Sequence, residues 1–239
     1  PCLAGAAMRR SASPDSESEG QTVTAARVEI GRRLAHVLPV EADLVRPVPE
    51  SGTPAAIGYA EESGLPFKQG LMKNAYVGRT FIQPSDTLRQ LGLRLKLNPV
   101  RSVIEGNKRP AVDGARLRGH PHRLLIRQRP EAGAGVVHVR IAAPPVKWPC
   151  FYGIDFASPG ELIANHGHTE SDEAIAESIR TLIGAHSQAV APTDDMVAAS
   201  NQPAENLCAA CFTGDYPLGL PSGNPNADLV QRIQKGTNA

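Results

Sequence analysis

The chain has 239 residues and a formal net charge of +1, long enough for one substantial domain and too neutral to suggest nucleic acid or an acidic membrane as partner. Hydrophobic residues make up 41%, enough for a buried core, while 22 glycines and 21 prolines beside few aromatics point to a loop-rich molecule. No apolar run approaches a bilayer span, and Pro1–Arg10 lacks the basic flank of a signal peptide, so a cytoplasmic protein is expected.

Residues 9–22 are polar and low in complexity, so 1–22 reads as a flexible lead-in left from an interdomain segment, with a domain expected over 23–217 and a tail over 218–239. Val23, Ala26, Ile30, Leu34 and Val37 recur at helical spacing and predict an amphipathic helix. Asp43–Pro49 reads as a short strand running into the turn Glu50-Ser-Gly-Thr53, after which Pro54–Glu62 reads as a helix with proline at its first position. Lys73-Asn-Ala-Tyr-Val-Gly-Arg-Thr-Phe-Ile82 follows, with two cations, an aromatic ring and a glycine but no core-forming pattern. Taken alone it is a solvated loop.

Val112-Asp-Gly-Ala-Arg-Leu-Arg-Gly119 places an aspartate at the end of a short apolar run and then an Arg-Gly turn. A helix is expected at 120–132, a β-branched strand at Val136–Ala142, and further helices at 159–164, 171–183 and 194–199. Strands alternating with helices predict an α/β fold with a mainly parallel sheet. From Pro221 the chain reads as a linker, with a last helical stretch loosely docked.

Open α/β sheets bind ligands beyond the carboxyl ends of their strands, where helix N-termini and turn amides point outward. Two strand-loop-helix units here have that form. Glu50–Thr53 offers hydroxyls and backbone N–H groups as an anion cradle, with a plain helix start as the alternative. Asp113 with Arg118-Gly119 forms the second unit, with a surface turn and a solvated arginine as its alternative.

Four stretches, read in order, resemble landmarks of the glutamine amidophosphoribosyltransferases. They are Pro47–Gly58, Lys73–Gln83, Arg94-Leu-Lys-Leu-Asn98 and Ala143–Asp155, and the similarity runs from about Val23 to Pro217. The resemblance implies a type I phosphoribosyltransferase fold acting on phosphoribosyl pyrophosphate (PRPP). Glu50, Ser51, Gly52 and Thr53 would cradle the pyrophosphate, and Lys73, Tyr76 and Arg79 would belong to a catalytic loop that closes over the substrate. Asp113, Arg118 and Gly119 would lie against the ribose and its 5-phosphate, with Ser51 and Asp113 serving Mg²⁺. The reaction implied is PRPP plus ammonia, drawn from glutamine in the family, giving 5-phosphoribosylamine and pyrophosphate. Cations on a closing loop suit that chemistry, because they stabilise a departing diphosphate and exclude water.

The second unit departs from the family pattern of Asp-Asp-Ser-Ile-Val-Arg-Gly-Thr-Thr. Gly114 replaces the second aspartate, Ala115 the serine, and His120-Pro121 the paired threonines. Contacts to charged groups contribute roughly 1.5–3 kcal/mol each. Losing two or three is expected to weaken PRPP binding about a thousandfold or more. Pro110 is expected to push its strand to an edge or break it, and Arg46 to interrupt an apolar strand. Two readings follow: a phosphoribosyltransferase domain with impaired activity, and a non-catalytic relative that keeps the fold.

Cys208-Ala-Ala-Cys211 has ligand spacing, and a metal outranks a disulfide in a cytoplasmic setting, with zinc or two buried thiols as alternatives. Leu207–Pro217 and Trp148–Asp155 resemble cluster-bearing segments of the bacterial family members. That resemblance implies a structural 4Fe–4S cluster on Cys150, Cys208 and Cys211, with Cys2 near the place of a fourth ligand. No Cys-Gly-Ile motif opens the chain, so glutaminase chemistry is not expected from it. Full-length relatives form homo-oligomers, which extends the same expectation to this chain.

Overall fold

The computed structural model describes residues 3–4, 13–18, 20–78, 86–104, 109–113, 136–152, 162–164 and 171–235. Its centre is a parallel four-stranded sheet in the order β4 (Arg46–Pro47), β7 (Arg109–Asp113), β8 (Val137–Ile141), β9 (Ser187–Val190). Smaller pairings surround it. They are parallel β1 (Leu3–Ala4) with β10 (Leu207–Cys208), the hairpin β2 (Glu17–Ser18)–β3 (Gln21–Thr22), and the antiparallel flap β5 (Leu71–Lys73)–β6 (Leu97–Pro99). The stretch expected to be a lead-in thus contributes two short pairings.

Helix α1 (Val23–Val37) begins where the Thr22 side chain accepts from Ala25 N–H at 3.2 Å, and it buries the predicted Val23, Ala26, Ile30 and Leu34. Helix α2 (Thr53–Ser63) opens with Pro54 in its first turn and ends at Gly64, whose φ of +69° suits a residue without Cβ. The two helices touch backbone to backbone. A Cβ on Gly31 would lie 2.0 Å from the Ala55 carbonyl oxygen, and one on Gly58 would lie 1.9 Å from that of Val28. This contact is the middle of a core that also takes in Val45, Tyr59, Ala142 and Phe212.

Strand β8 divides its side chains by the period-2 rule. Val137, Val139 and Ile141 pack on Ile175, Ile179 and Ile183 of α5 (Asp172–Ile183), while Arg140 reaches toward α1. Each of those aliphatic side chains contributes about 1.5–3 kcal/mol when fully buried. Helices α3 (Asp86–Lys96), α4 (Arg101–Ile104), α6 (Thr193–Ala199), α7 (Ala210–Thr213) and α8 (Pro225–Gln234), with a 3-10 turn at Ala204–Asn206, are the other helices among the described residues. None of the described helices is long and apolar enough to cross a membrane.

Three expectations need correction. The strand containing Pro110 is interior, not an edge. Strand β4 pairs only with Ala111 and Val112, so at Pro110 the ladder has a partner on one side alone, opposite His138. A missing N–H is tolerated there. Arg46 does not interrupt β4; it is 3% exposed and lays its stem against Gly70. The last helix is docked rather than loose, because α8 buries Ala227 and Val230 and Gln234 donates to the Gly214 carbonyl at 2.8 Å. The helix expected at 120–132, and most of that expected at 159–164, lie outside the described residues.

Candidate functional site

Strands β4 and β7 are neighbours whose register sets Pro47 opposite Val112, so the turn after β4 and Asp113 lie at the same carboxyl edge of the sheet. That turn, Val48–Gly52, is tightly wound. Gly52 N–H donates to the Val48 carbonyl at 3.2 Å, and Thr53 N–H to the Glu50 carbonyl at 3.0 Å. Both amides, read from sequence as open to an anion, are therefore used within the turn. Ser51 and Thr53 are half-buried, Gly52 is buried, and the Pro49–Glu50 peptide is cis.

The β5–β6 flap folds onto this turn through Leu71 and Leu97, which are buried together with Val48 packed against them. The fold brings Lys73 to Glu50, Nζ to Oε2 at 2.5 Å, a direct pairing of two segments that the resemblance set around one substrate. Beyond Lys73 the loop is held locally, with Tyr76 N–H donating to Asn74 Oδ1 at 3.0 Å. Tyr76 itself is fully exposed. Sequence reading missed Lys96 at the end of α3. Its ammonium donates to the Gly78 carbonyl at 3.0 Å, and its carbonyl accepts from Asn74 N–H at 2.8 Å. The only signal available was the Arg94-Leu-Lys-Leu-Asn98 stretch, read as a landmark without a role.

Asp113 ends β7 as expected. Arg79, Arg118 and Gly119 lie outside the described residues, as do Gly114, Ala115, His120 and Pro121. The structure therefore brings together Glu50, Ser51, Gly52, Thr53 and Lys73, with Asp113 at the same sheet edge.

A second cluster forms where β10 meets the segment after β8. Cys208 and Cys211 are buried and Cys150 half-buried, and no disulfide joins these three. The Cys211 carbonyl accepts from both Lys147 and Trp148 N–H at 3.0 Å, and Tyr216 Oη donates to the Pro149 carbonyl at 2.7 Å. Burial raises the Tyr216 phenol well above its ordinary range, and the charge of Cys211, Cys150, Tyr152 and Cys208 raises it further. Among the described residues no group of three or more His, Cys, Asp or Glu is arranged to hold a metal. Cys2 lies outside the described residues, although β1, which follows it, pairs Ala4 with Cys208.

No family model matches the chain. It is 62% identical over 210 residues to the amidophosphoribosyltransferase of Mycobacterium tuberculosis, covering 88% of this chain and 40% of that protein. The chain belongs to the amidophosphoribosyltransferases. Against the Synechococcus elongatus amidophosphoribosyltransferase the identity is 44% over 219 residues, 92% of this chain and 43% of the relative. Among solved structures, a glutamine PRPP amidotransferase from B. subtilis complexed with ADP and GMP superposes with a TM-score of 0.78 at 42% identity, covering 90% of this chain and 47% of that one. The fold is the α/β, type I phosphoribosyltransferase-like one. The chain spans about two-fifths of the length of the curated amidophosphoribosyltransferases it matches.

Proposed function

We propose that the chain is the phosphoribosyltransferase portion of an amidophosphoribosyltransferase, transferring the phosphoribosyl group of PRPP to ammonia. The observation that carries this reading is the Glu50–Lys73 ion pair, which joins the turn after β4 to the β5 flap at the carboxyl edge of a parallel sheet. In this reading the C1–O bond to pyrophosphate breaks, a C1–N bond to ammonia forms, and the nitrogen gives up a proton to solvent. Lys73 meets the charge that grows on the departing diphosphate. Glu50, having the same sign as the diphosphate, aims Lys73 and does not itself bind the anion. Tyr76 and Arg79 belong to the covering loop, and Arg118-Gly119 to the 5-phosphate end.

Ser51 and Asp113 supply the oxygen donors that suit Mg²⁺, which when bound offsets diphosphate charge. Gly114, Ala115 and His120-Pro121 stand where the family pattern has Asp, Ser and Thr-Thr, so affinity is reduced. A structural Fe–S cluster on Cys150, Cys208, Cys211 and Cys2 is part of the same proposal. Its support is thiolate chemistry and the ligand spacing of Cys208-Ala-Ala-Cys211. A homo-oligomer in the cytoplasm completes it, with PRPP and ammonia as small-molecule substrates.

The test is calorimetric titration of the purified chain with PRPP and Mg²⁺. Binding is expected, and Lys73→Gln should weaken it by about ten- to a hundredfold, the weight of one charged contact. A folded sample that gives no heat would sink the enzymatic reading and leave a non-catalytic scaffold. Iron and acid-labile sulfide assayed after anaerobic purification check the cluster, which Cys208→Ser should abolish.

A further inference from the structure

Lys96 is gripped on both sides by the flap it closes. It is the last residue of α3, and β6 begins at Leu97, whose register partner across the antiparallel ladder is Lys73. Its main chain receives Asn74 N–H at 2.8 Å, and its side chain bonds the Gly78 carbonyl at 3.0 Å. One residue thus holds both ends of the five-residue loop 74–78, which follows directly on Lys73.

The charge around it is unbalanced. Lys96 is half-buried, and burial lowers the pKa of its ammonium, with the nearby Lys73 cation lowering it further and Glu50 opposing both. Two lysines therefore share one carboxylate, and Lys96 has a neutral carbonyl as its hydrogen-bond partner. A phosphoryl oxygen is a stronger partner for an ammonium than a carbonyl oxygen.

We infer that Lys96 is a second cation for the diphosphate and the positioning residue that holds the loop after Lys73 over it. The inference rests on the phosphoribosyltransferase reading above and adds to it a residue with no assigned role. An ammonium has three N–H donors, so Lys96 keeps the Gly78 carbonyl on one and offers another to the diphosphate.

The probe is Mg²⁺ with inorganic pyrophosphate, titrated into the full chain and into Lys96→Gln, Lys96→Arg and Lys73→Gln. Amide hydrogen exchange of residues 74–78 is measured on the same samples without ligand. Lys96→Gln should bind pyrophosphate at least tenfold more weakly and exchange its loop amides faster, while Lys96→Arg recovers most of the binding. Rescue by arginine separates a cation that meets the anion from a side chain that only packs. Wild-type affinity in Lys96→Gln, beside a loss in Lys73→Gln, would overturn this inference and leave the functional reading intact. No pyrophosphate binding by the wild-type chain would overturn the functional reading and the ligand role together. Unchanged loop exchange in Lys96→Gln would then remove the positioning role as well.

Discussion

Arg140 shows how one side chain can hold a fold with no acidic partner among the described residues. It is 5% exposed, and its guanidinium donates to the carbonyls of Leu38, Pro39 and Val139 and to Ser187 Oγ. Tyr59 Oη donates to the same Leu38 carbonyl. Substituting Arg140→Met takes those donors away from largely part-buried acceptors, of which Leu38 keeps Tyr59. At about 1–3 kcal/mol per stranded group, a loss of roughly 3 kcal/mol is expected in urea denaturation. Tyr216 gives a pH prediction. Its phenol is held neutral by burial and by the neighbouring thiols, so its folded pKa lies above the ordinary 10.0. The fold binds the proton more tightly than the unfolded chain does. Stability from this group is therefore complete below 10.0 and is lost as pH rises through that value toward the folded one. Thermal melts from about pH 8 to about pH 11 should fall less steeply in Tyr216→Phe than in the wild type. Equal slopes would count against this source of alkaline sensitivity.

Among the elements, the α1–α2 contact is the most exacting. Gly31 and Gly58 each meet a carbonyl of the opposite helix where a Cβ would stand about 2 Å away, closer than any real Cβ approaches. Gly58→Ala forces the helices apart and should cost about 1–3 kcal/mol, seen as a lower denaturation midpoint with unchanged helical circular dichroism. A neutral outcome would mean that the helices can slide. These helices were legible from sequence, since Val23 to Val37 carries a 3.6-residue pattern and Pro54 marks a first turn. Their glycine contact was not, because nothing local shows which carbonyl a glycine will meet. Strand β7 failed for a similar reason. Pro110 looks like a strand breaker until the register shows that β4 is too short to need its N–H.

Across the whole molecule, the C-terminal segment is part of the body. Trp148, the single tryptophan of the chain, is 8% exposed. It lines a cavity of about 630 Å³ together with Gly214, Tyr216, Ile233 and Gln234. Helix α8 supplies the last two of these residues, so truncation after Leu220 should uncover the indole. Red-shifted Trp148 fluorescence and a loss of roughly 2–4 kcal/mol are expected, from Val230 and its buried neighbours. Unshifted emission would show that α8 is an accessory to the fold.

The family, the α/β class and the helices α1, α2, α5 and α6 were legible in the chain alone, because hydrophobic period, turn residues and long motifs are local properties. The sequence also marked Lys73 and Glu50–Thr53 for one substrate site and the cysteines for another, without the pairing between individual side chains. Folding is what brings Glu50 to Lys73, joins Lys96 to them from 23 residues beyond Lys73, and places Arg46 and Pro110 inside the molecule. Ion pairs, strand register and backbone contacts between helices join residues that are far apart in the chain. No local pattern encodes which distant partner each will meet.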